Sequence, residues 1–399
     1  MHSETRLPFL DGLRLAAFAL LIPYHVGMYY VSWDWHVKSA QAGPTIEPLM
    51  LLSSPWRLGL LFLVAGTACH GLWRRRGGWG FIRERSRRLL LPLLFGMAVI
   101  VTPQAYFEVL TKAPQLLPGD GGYLDFWAAY LHGGRYCRGQ DCMDVPTWNH
   151  LWFLPYLWVY ALFAALLLAW RRPGPVARAA WPVWAWLLVP ALPLVLARLL
   201  LMPLFPSSHD LWTDLYNHAQ YGYLFALGWG SRSHWPGLWQ AALRYRTLSL
   251  ALALAGWALL MVYFSAYETV EPPAALRALM RVLWALMAWW AILAACGWAQ
   301  RVFRENKPWL RAASQGVLCA YVLHQSLIVV FSQWLKPLAW PPVLEGLALI
   351  ALTALACLLL YRLLRPVPLL RELVGITAGS ACPPRCSAPS PAHSVPRSG

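Results

Sequence analysis

The sequence predicts an all-α polytopic membrane protein, a single bundle of about ten transmembrane helices, and three observations carry that prediction. Of its 399 residues 59% are hydrophobic and only 13% charged, and mean hydropathy is +0.46. Soluble domains usually carry about 25% charged residues. Apolar runs long enough to cross a bilayer recur along the chain, and basic residues gather in alternate connections between them. Many of the 25 Trp lie near the ends of those runs, as in an interfacial belt. The net charge of +16 is therefore not read as a nucleic-acid footprint: it sits between spans, and no recognition motif accompanies it.

Taken in order, the runs fall near 9–31, 54–73, 89–110, 149–170, 180–201, 214–230, 247–266, 277–299, 312–335 and 343–364. Those at 89–110 and 180–201 contain Pro and are expected to bend. The run at 214–230 carries Asn217, His218 and Gln220, which suits a helix lined by protein or water rather than lipid. The connection 74–88, RRRGGWGFIRERSRR, holds seven Arg, and 171–179, 231–246 and 300–311 are basic too, whereas 202–213 and 267–275 have no Lys or Arg. The positive-inside bias then places both termini and the Arg-rich connections in the cytoplasm. The first run is too long and too charged for a cleaved signal peptide, and no internal repeat is evident. Residues 1–366 read as the membrane domain. Residues 367–399, rich in Gly, Ser and Pro, read as a disordered cytoplasmic tail.

Cys69, Cys296, Cys319 and Cys357 lie inside runs and read as small apolar packers. Cys137 and Cys142 share the connection RYCRGQDC, where a disulfide is permitted but not fixed by spacing alone. Cys382 and Cys386 lack the further ligands a zinc site needs, so no metal is expected.

Chemistry-bearing residues stand out because membranes are costly places for them. In LDGLRLAAFALLIPYHVGMYY, Arg14 and His25 are eleven residues apart. That is about three helical turns, so they share a face roughly 16 Å apart along it. Asp11 precedes Arg14 by one turn and can pair with it. Pro23 can open the backbone beside His25. Arg14 snorkelling to the interface and His25 making a helix-to-helix hydrogen bond are the plain alternatives. Arg85 and Arg88, three apart at an inner helix end, suit bidentate phosphate binding, although topology alone also yields Arg-rich connections. On the opposite side, Trp33 and His36 in WDWHVKSA, His150 and Trp152 in HLWFL, and His324 in AYVLHQSL offer aromatic and polar surface for a carbohydrate, or simple interfacial anchors.

Together these residues resemble the acyltransferase 3 family of membrane O-acyltransferases. The resemblance rests on Arg14-x10-His25, on Arg85-x-x-Arg88, and on the ordered series LDGLR, IPYHVGMYY, WHVKSA, Trp56-Arg57-x-x-x-x-Phe62 leading to LVAGTAC, HLWFL and YVLHQS. It runs from Arg6 to about Arg365. It implies an enzyme of a bacterial inner membrane with no bound cofactor. Its co-substrate would be a cytoplasmic acyl-coenzyme A, whose acyl group passes to a hydroxyl of an extracytoplasmic glycan. Members sharing this motif series are associated with succinylation of periplasmic glucans, so a succinyl or acetyl group is expected. His25 would correspond to the family's essential histidine, and Arg14, Arg85 and Arg88 to its conserved basic residues. A neutral, buried His25 would take the acceptor's proton, or form an acyl-histidine. For a succinyl carboxylate, Arg57, Arg198, Arg277 and Arg281 are candidate partners that the sequence does not rank. The departure is the long 111–148 connection, which leaves the acceptor open. A transporter or flippase using the same polar track, and a structural subunit of a glycan-synthesis complex, are the rival readings.

Overall fold

Fourteen α-helices and one hairpin make up the described part of this computed structural model, which covers residues 7–139, 141–170, 181–232, 235–305 and 307–377. In order these are α1 (Pro8–Ala19), α2 (Leu21–Tyr30), α3 (Glu47–Phe95), α4 (Thr102–Lys112), α5 (Tyr123–His132), β1 (Gly134–Arg138), β2 (Asp141–Val145), α6 (Phe153–Trp170) and α7 (Ala191–Leu196). There follow α8 (Leu215–Gly230), α9 (Gly237–Arg244), α10 (Arg246–Ala266), α11 (Ala274–Val302), α12 (Pro308–Leu335), α13 (Pro342–Leu364) and α14 (Pro368–Leu373). Proline opens several of them, including α1, α12, α13 and α14, where its missing N–H costs nothing and its fixed φ suits the first turn.

Among the described residues, eight helical stretches are long and apolar enough to cross a membrane. The predicted runs map onto them with two qualifications. The stretch 44–112 holds two runs, because α3 is interrupted at Gly77, whose φ of +68° only glycine adopts freely. Beyond that break the chain doubles back, so that Leu61, Ala65 and Ala68 face the same cavity as Arg85 and Arg88. The other qualification is α8, at 16 residues shorter than a usual span. Its polar side chains are satisfied by protein. His218 bonds Tyr160 at 3.0 Å and the Leu211 carbonyl at 2.8 Å. The Asn217 amide donates to Asp214 at 2.7 Å, and the Gln220 amide donates to Asn217 at 2.6 Å.

The proline-containing runs depart from regular α-helix. The third passes through a π-turn at Gly96–Ile100 before α4, and the fifth is split into a 3-10 turn, α7 and a second π-turn at Ala197–Leu201. Helices α3 and α8 cross in near-backbone contact. A Cβ on Gly66 would lie 2.0 Å from the Phe225 carbonyl oxygen, and one on Gly228 would lie 1.9 Å from that of Leu63. Around this crossing the core fills with Phe62, Tyr156, Trp186 and Trp289, all buried. At the periphery α10 and α13 expose leucines such as Leu254, Leu259, Leu347 and Leu355, which suits lipid rather than water.

Two expectations need correction. The 111–148 connection is not a plain loop: α5 and the antiparallel β1–β2 pair fold there over Ala105, Val109, Phe126, Tyr130 and Val145. The hairpin turns at Gly139 (φ +62°), and Cys137 and Cys142, cross-strand partners, form the disulfide the sequence left open. Residues 368–377, read as part of a free tail, are held against the bundle. Pro368–Leu373 is helical, Val374 and Ile376 are buried against Cys319 and Leu323, and Glu372 pairs with Arg87 at 2.7 Å. Apolar contact and an ion pair hold what composition alone read as free. Arg171, Arg172, Arg178, Cys382 and Cys386 lie outside the described residues. Cys69, Cys296, Cys319 and Cys357 are buried and unbridged.

Candidate active site

The sequence-selected residues gather in two places on the same stack of helices. The first is a cavity of about 540 Å³ between α1, the two limbs of α3, and α12, into which Asp11, Arg14, Arg75, Glu84, Arg85 and Arg88 project. Asp11 and Arg14 stand 4.0 Å apart, the pair expected from their spacing. The Gly77 turn is what brings Arg85 and Arg88 back to face Arg14. The Nε of Arg85 is buried without a hydrogen-bond partner. With Arg232 also in the lining, five guanidiniums against two carboxylates, with the Arg85 donor left unused, form a site that fits a phosphorylated ligand.

The far wall of this cavity is aromatic. Phe18 and Phe153 line it, and the Tyr321 ring lies just beyond, 5.5 Å from Phe18 and 6.1 Å from Phe153, centroid to centroid. Behind Tyr321 is the second place, a cluster of imidazoles. His25 from α2, His324 from α12 and His150 at the start of the fourth span meet there, with His324 centroids 4.9 Å from His25 and 5.3 Å from His150.

Hydrogen-bond partners assign the tautomers of the neutral rings. His324 Nδ1 lies 2.7 Å from the Tyr321 carbonyl, which can only accept, so Nδ1 carries the proton and Nε2 the lone pair. His25 Nδ1 lies 2.9 Å from that Nε2 and must donate to it. The remaining nitrogen of His25, Nε2, is left with a lone pair: a base held in fixed orientation. His150 is the opposite tautomer. Its Nε2 donates to the Val322 carbonyl at 3.1 Å, and its Nδ1 accepts from Gln104 at 3.2 Å.

From His150 a continuous polar network leads away from the arginine cavity. Gln104 donates to Ser326 at 2.6 Å and accepts from Gln325 at 3.1 Å and Asn149 at 3.3 Å. Gln325 also donates to His36 Nε2 at 2.9 Å, which obliges His36 Nδ1 to donate to Glu108 at 2.5 Å. Glu108 meets Lys112 at 2.9 Å, and Lys112 meets the exposed Asp34 at 3.1 Å. Every member is paired, so this is a rigid network rather than a set of stranded polar groups.

Of the residues singled out in the sequence, Arg14, Arg85 and Arg88 share the cavity, and His25, His36, His150 and His324 share the network. Trp33 and Trp152 do not join them. Trp33 is half-buried beside Asp34, and Trp152 stacks on His209 at 4.2 Å in a separate aromatic group. Sequence reasoning missed Gln104, Glu108, Lys112, Gln325 and Tyr321. A signal for three of them was present: Gln104, Glu108 and Lys112 recur every four residues along TPQAYFEVLTK, a polar stripe of the same kind as in the first span.

Comparison with known proteins gives a family model described as an acyltransferase domain, Acyl_transf_3, that matches residues 7–362. Two Escherichia coli proteins, from strains K12 and SMS-3-5 and both named Glucans biosynthesis protein C, are similar at 24% identity over 146 residues, 37% of this chain. The aligned part spans 34% of the length of each of those relatives. No solved structure matches.

Proposed function

The chain belongs to the Acyl_transf_3 acyltransferase family, and on that premise we propose that it transfers an acyl group across a membrane, from a coenzyme A thioester to a hydroxyl of a glycan. The observation that carries this reading is His25: a ring whose one free nitrogen is a base, standing between an arginine-lined cavity and an outward polar network. Arg14, Arg85 and Arg88 hold the donor's phosphates, and the thin pantetheine arm passes the aromatic wall toward His25. The network from Asp34 to His150 receives the acceptor sugar. His25 Nε2 takes the hydroxyl proton as the oxygen attacks the thioester carbon. The same proton then goes to the departing thiolate, so the imidazole ends as it began.

The basic connections favour a cytoplasmic donor mouth and cytoplasmic termini in a bacterial inner membrane. The names of the similar proteins favour a glucan as the acceptor, which we place in the periplasm, with a succinyl or acetyl group as the one transferred. The test uses purified protein in liposomes, with succinyl- or acetyl-coenzyme A and glucan. Free thiol is expected only when donor and acceptor are both present, and His25→Ala is expected to abolish its release while the protein still inserts and folds. Full thiol release by His25→Ala would end the assignment of the base. Movement of glycan or acid without thioester consumption would mark a transporter instead.

A further inference from the structure

Four arginines stand toward the ends of spans on the acceptor's side, and only one of them lies beside the histidine cluster. Arg277 pairs with Glu271 at 2.6 Å and Arg281 is half-buried, while Arg198 donates to Tyr216 at 2.8 Å and lies on the Trp284 face at 4.2 Å with its Nε also unpartnered, away from the histidine cluster. Arg57 differs. It is 3% exposed, and among the described residues no carboxylate pairs with it. Its guanidinium carbon lies 3.7 Å from the centroid of Tyr24, and one Nη donates to Ser53 at 3.3 Å. Its Nε has no partner at all. Tyr24 is the neighbour of His25, the two rings being 5.5 Å apart, and the Arg57 charge acts on both His25 and His324.

A guanidinium buried inside a membrane protein without a counter-charge is costly, and an aromatic face and one hydroxyl offset only part of that cost. Fixed positive charge beside a base has a use when negative charge arises there during the reaction.

We propose that Arg57 is the oxyanion donor of the transfer step, its free Nε–H taking the negative charge that forms on the thioester carbonyl oxygen. This rests on the acyl-transfer reading above. The acceptor oxygen bonds to the carbonyl carbon while its proton passes to His25 Nε2, and the carbonyl π pair moves onto oxygen against Arg57. That pair then reforms the double bond, the carbon–sulfur bond breaks, and the thiolate recovers the proton from His25. No outside oxidant or reductant enters.

The experiment compares wild type, Arg57→Ala and Arg57→Lys with succinyl- and acetyl-coenzyme A and glucan, reading kcat and KM for each donor. Removal of one oxyanion donor lowers kcat by about 100-fold or more. That fall is expected in Arg57→Ala with both donors alike, with little change in either KM. Arg57→Lys, which keeps a charge in place, is expected to recover part of it and to insert and melt like wild type. An unchanged kcat in Arg57→Ala overturns the proposal. So does a rise in KM confined to succinyl-coenzyme A, which would make Arg57 a partner for the acyl carboxylate. So does a Lys variant no better than Ala at equal thermal stability. If wild type itself releases no thiol, the acyl-transfer reading fails, and Arg57 with it.

Discussion

Replacing His324 by Phe keeps a flat ring beside Tyr321 and His150 but removes the lone pair that receives the His25 Nδ1–H, 2.9 Å away. His25 then loses the contact that fixes both its tautomer and its ring orientation. Leaving a buried donor without its acceptor costs about 1–3 kcal/mol, or about 5- to 150-fold in rate if the whole penalty falls on the base. The expected result is a kcat lower by that factor with the KM for donor unchanged, since the arginine cavity lies on the other side of the Phe18–Phe153 wall. The assay is thiol release from acyl-coenzyme A in the presence of acceptor, paired with a melting curve to exclude a collapsed bundle. His324→Gln supplies an acceptor oxygen on a similar reach and is expected to recover part of the loss. A Phe variant that melts like wild type and keeps kcat within a factor of two would refute the tautomer argument.

Two further outcomes follow from the geometry. Arg85→Ala combined with Arg88→Ala should raise the KM for the donor by about 10-fold or more, because each charge-assisted bond to phosphate is worth about 1.5–3 kcal/mol; unchanged donor affinity would reduce these arginines to topology signals. Gly228→Ala would push a methyl to 1.9 Å from the Leu63 carbonyl oxygen, forcing α3 and α8 apart at a cost of about 1–3 kcal/mol or more; a melting temperature equal to wild type would contradict that close crossing.

What the sequence disclosed depended on how local the signal was. Apolar runs and their flanking arginines are properties of short windows, so the spans could be read directly, and the Arg14–Asp11 pair followed from helical spacing. The Gly77 reversal was hidden because a glycine pair within RRRGGWG fits a loop as well as a sharp turn joining two helices. The hairpin was hidden too: its strands are five residues each, and the polar residues in RYCRGQDC mask their alternation. Above all, the contact between His25 and His324 joins residues 299 apart in the chain. Each histidine alone resembles a satisfied membrane histidine. Only the packing of α12 on α1 and α2 sets one as acceptor for the other, and no window of sequence contains that information. Gln104 and Glu108 were legible in principle as a polar stripe, yet their partners on α12 were not.

The aromatic wall formed by Phe18, Phe153 and Tyr321 has a consequence for the cell rather than for the reaction. A chain of imidazoles, amides and carboxylates can pass protons, and an arginine-lined cavity open to water on the other side of the rings would supply them. Joined, they would short-circuit the electrochemical gradient that the membrane maintains. Three rings between them, with no titratable group but a phenol that is already donating to the His150 carbonyl at 2.5 Å, interrupt that wire. On the proposed reading, the rings that a thioester arm would pass are thus an electrical insulator whenever the arm is absent.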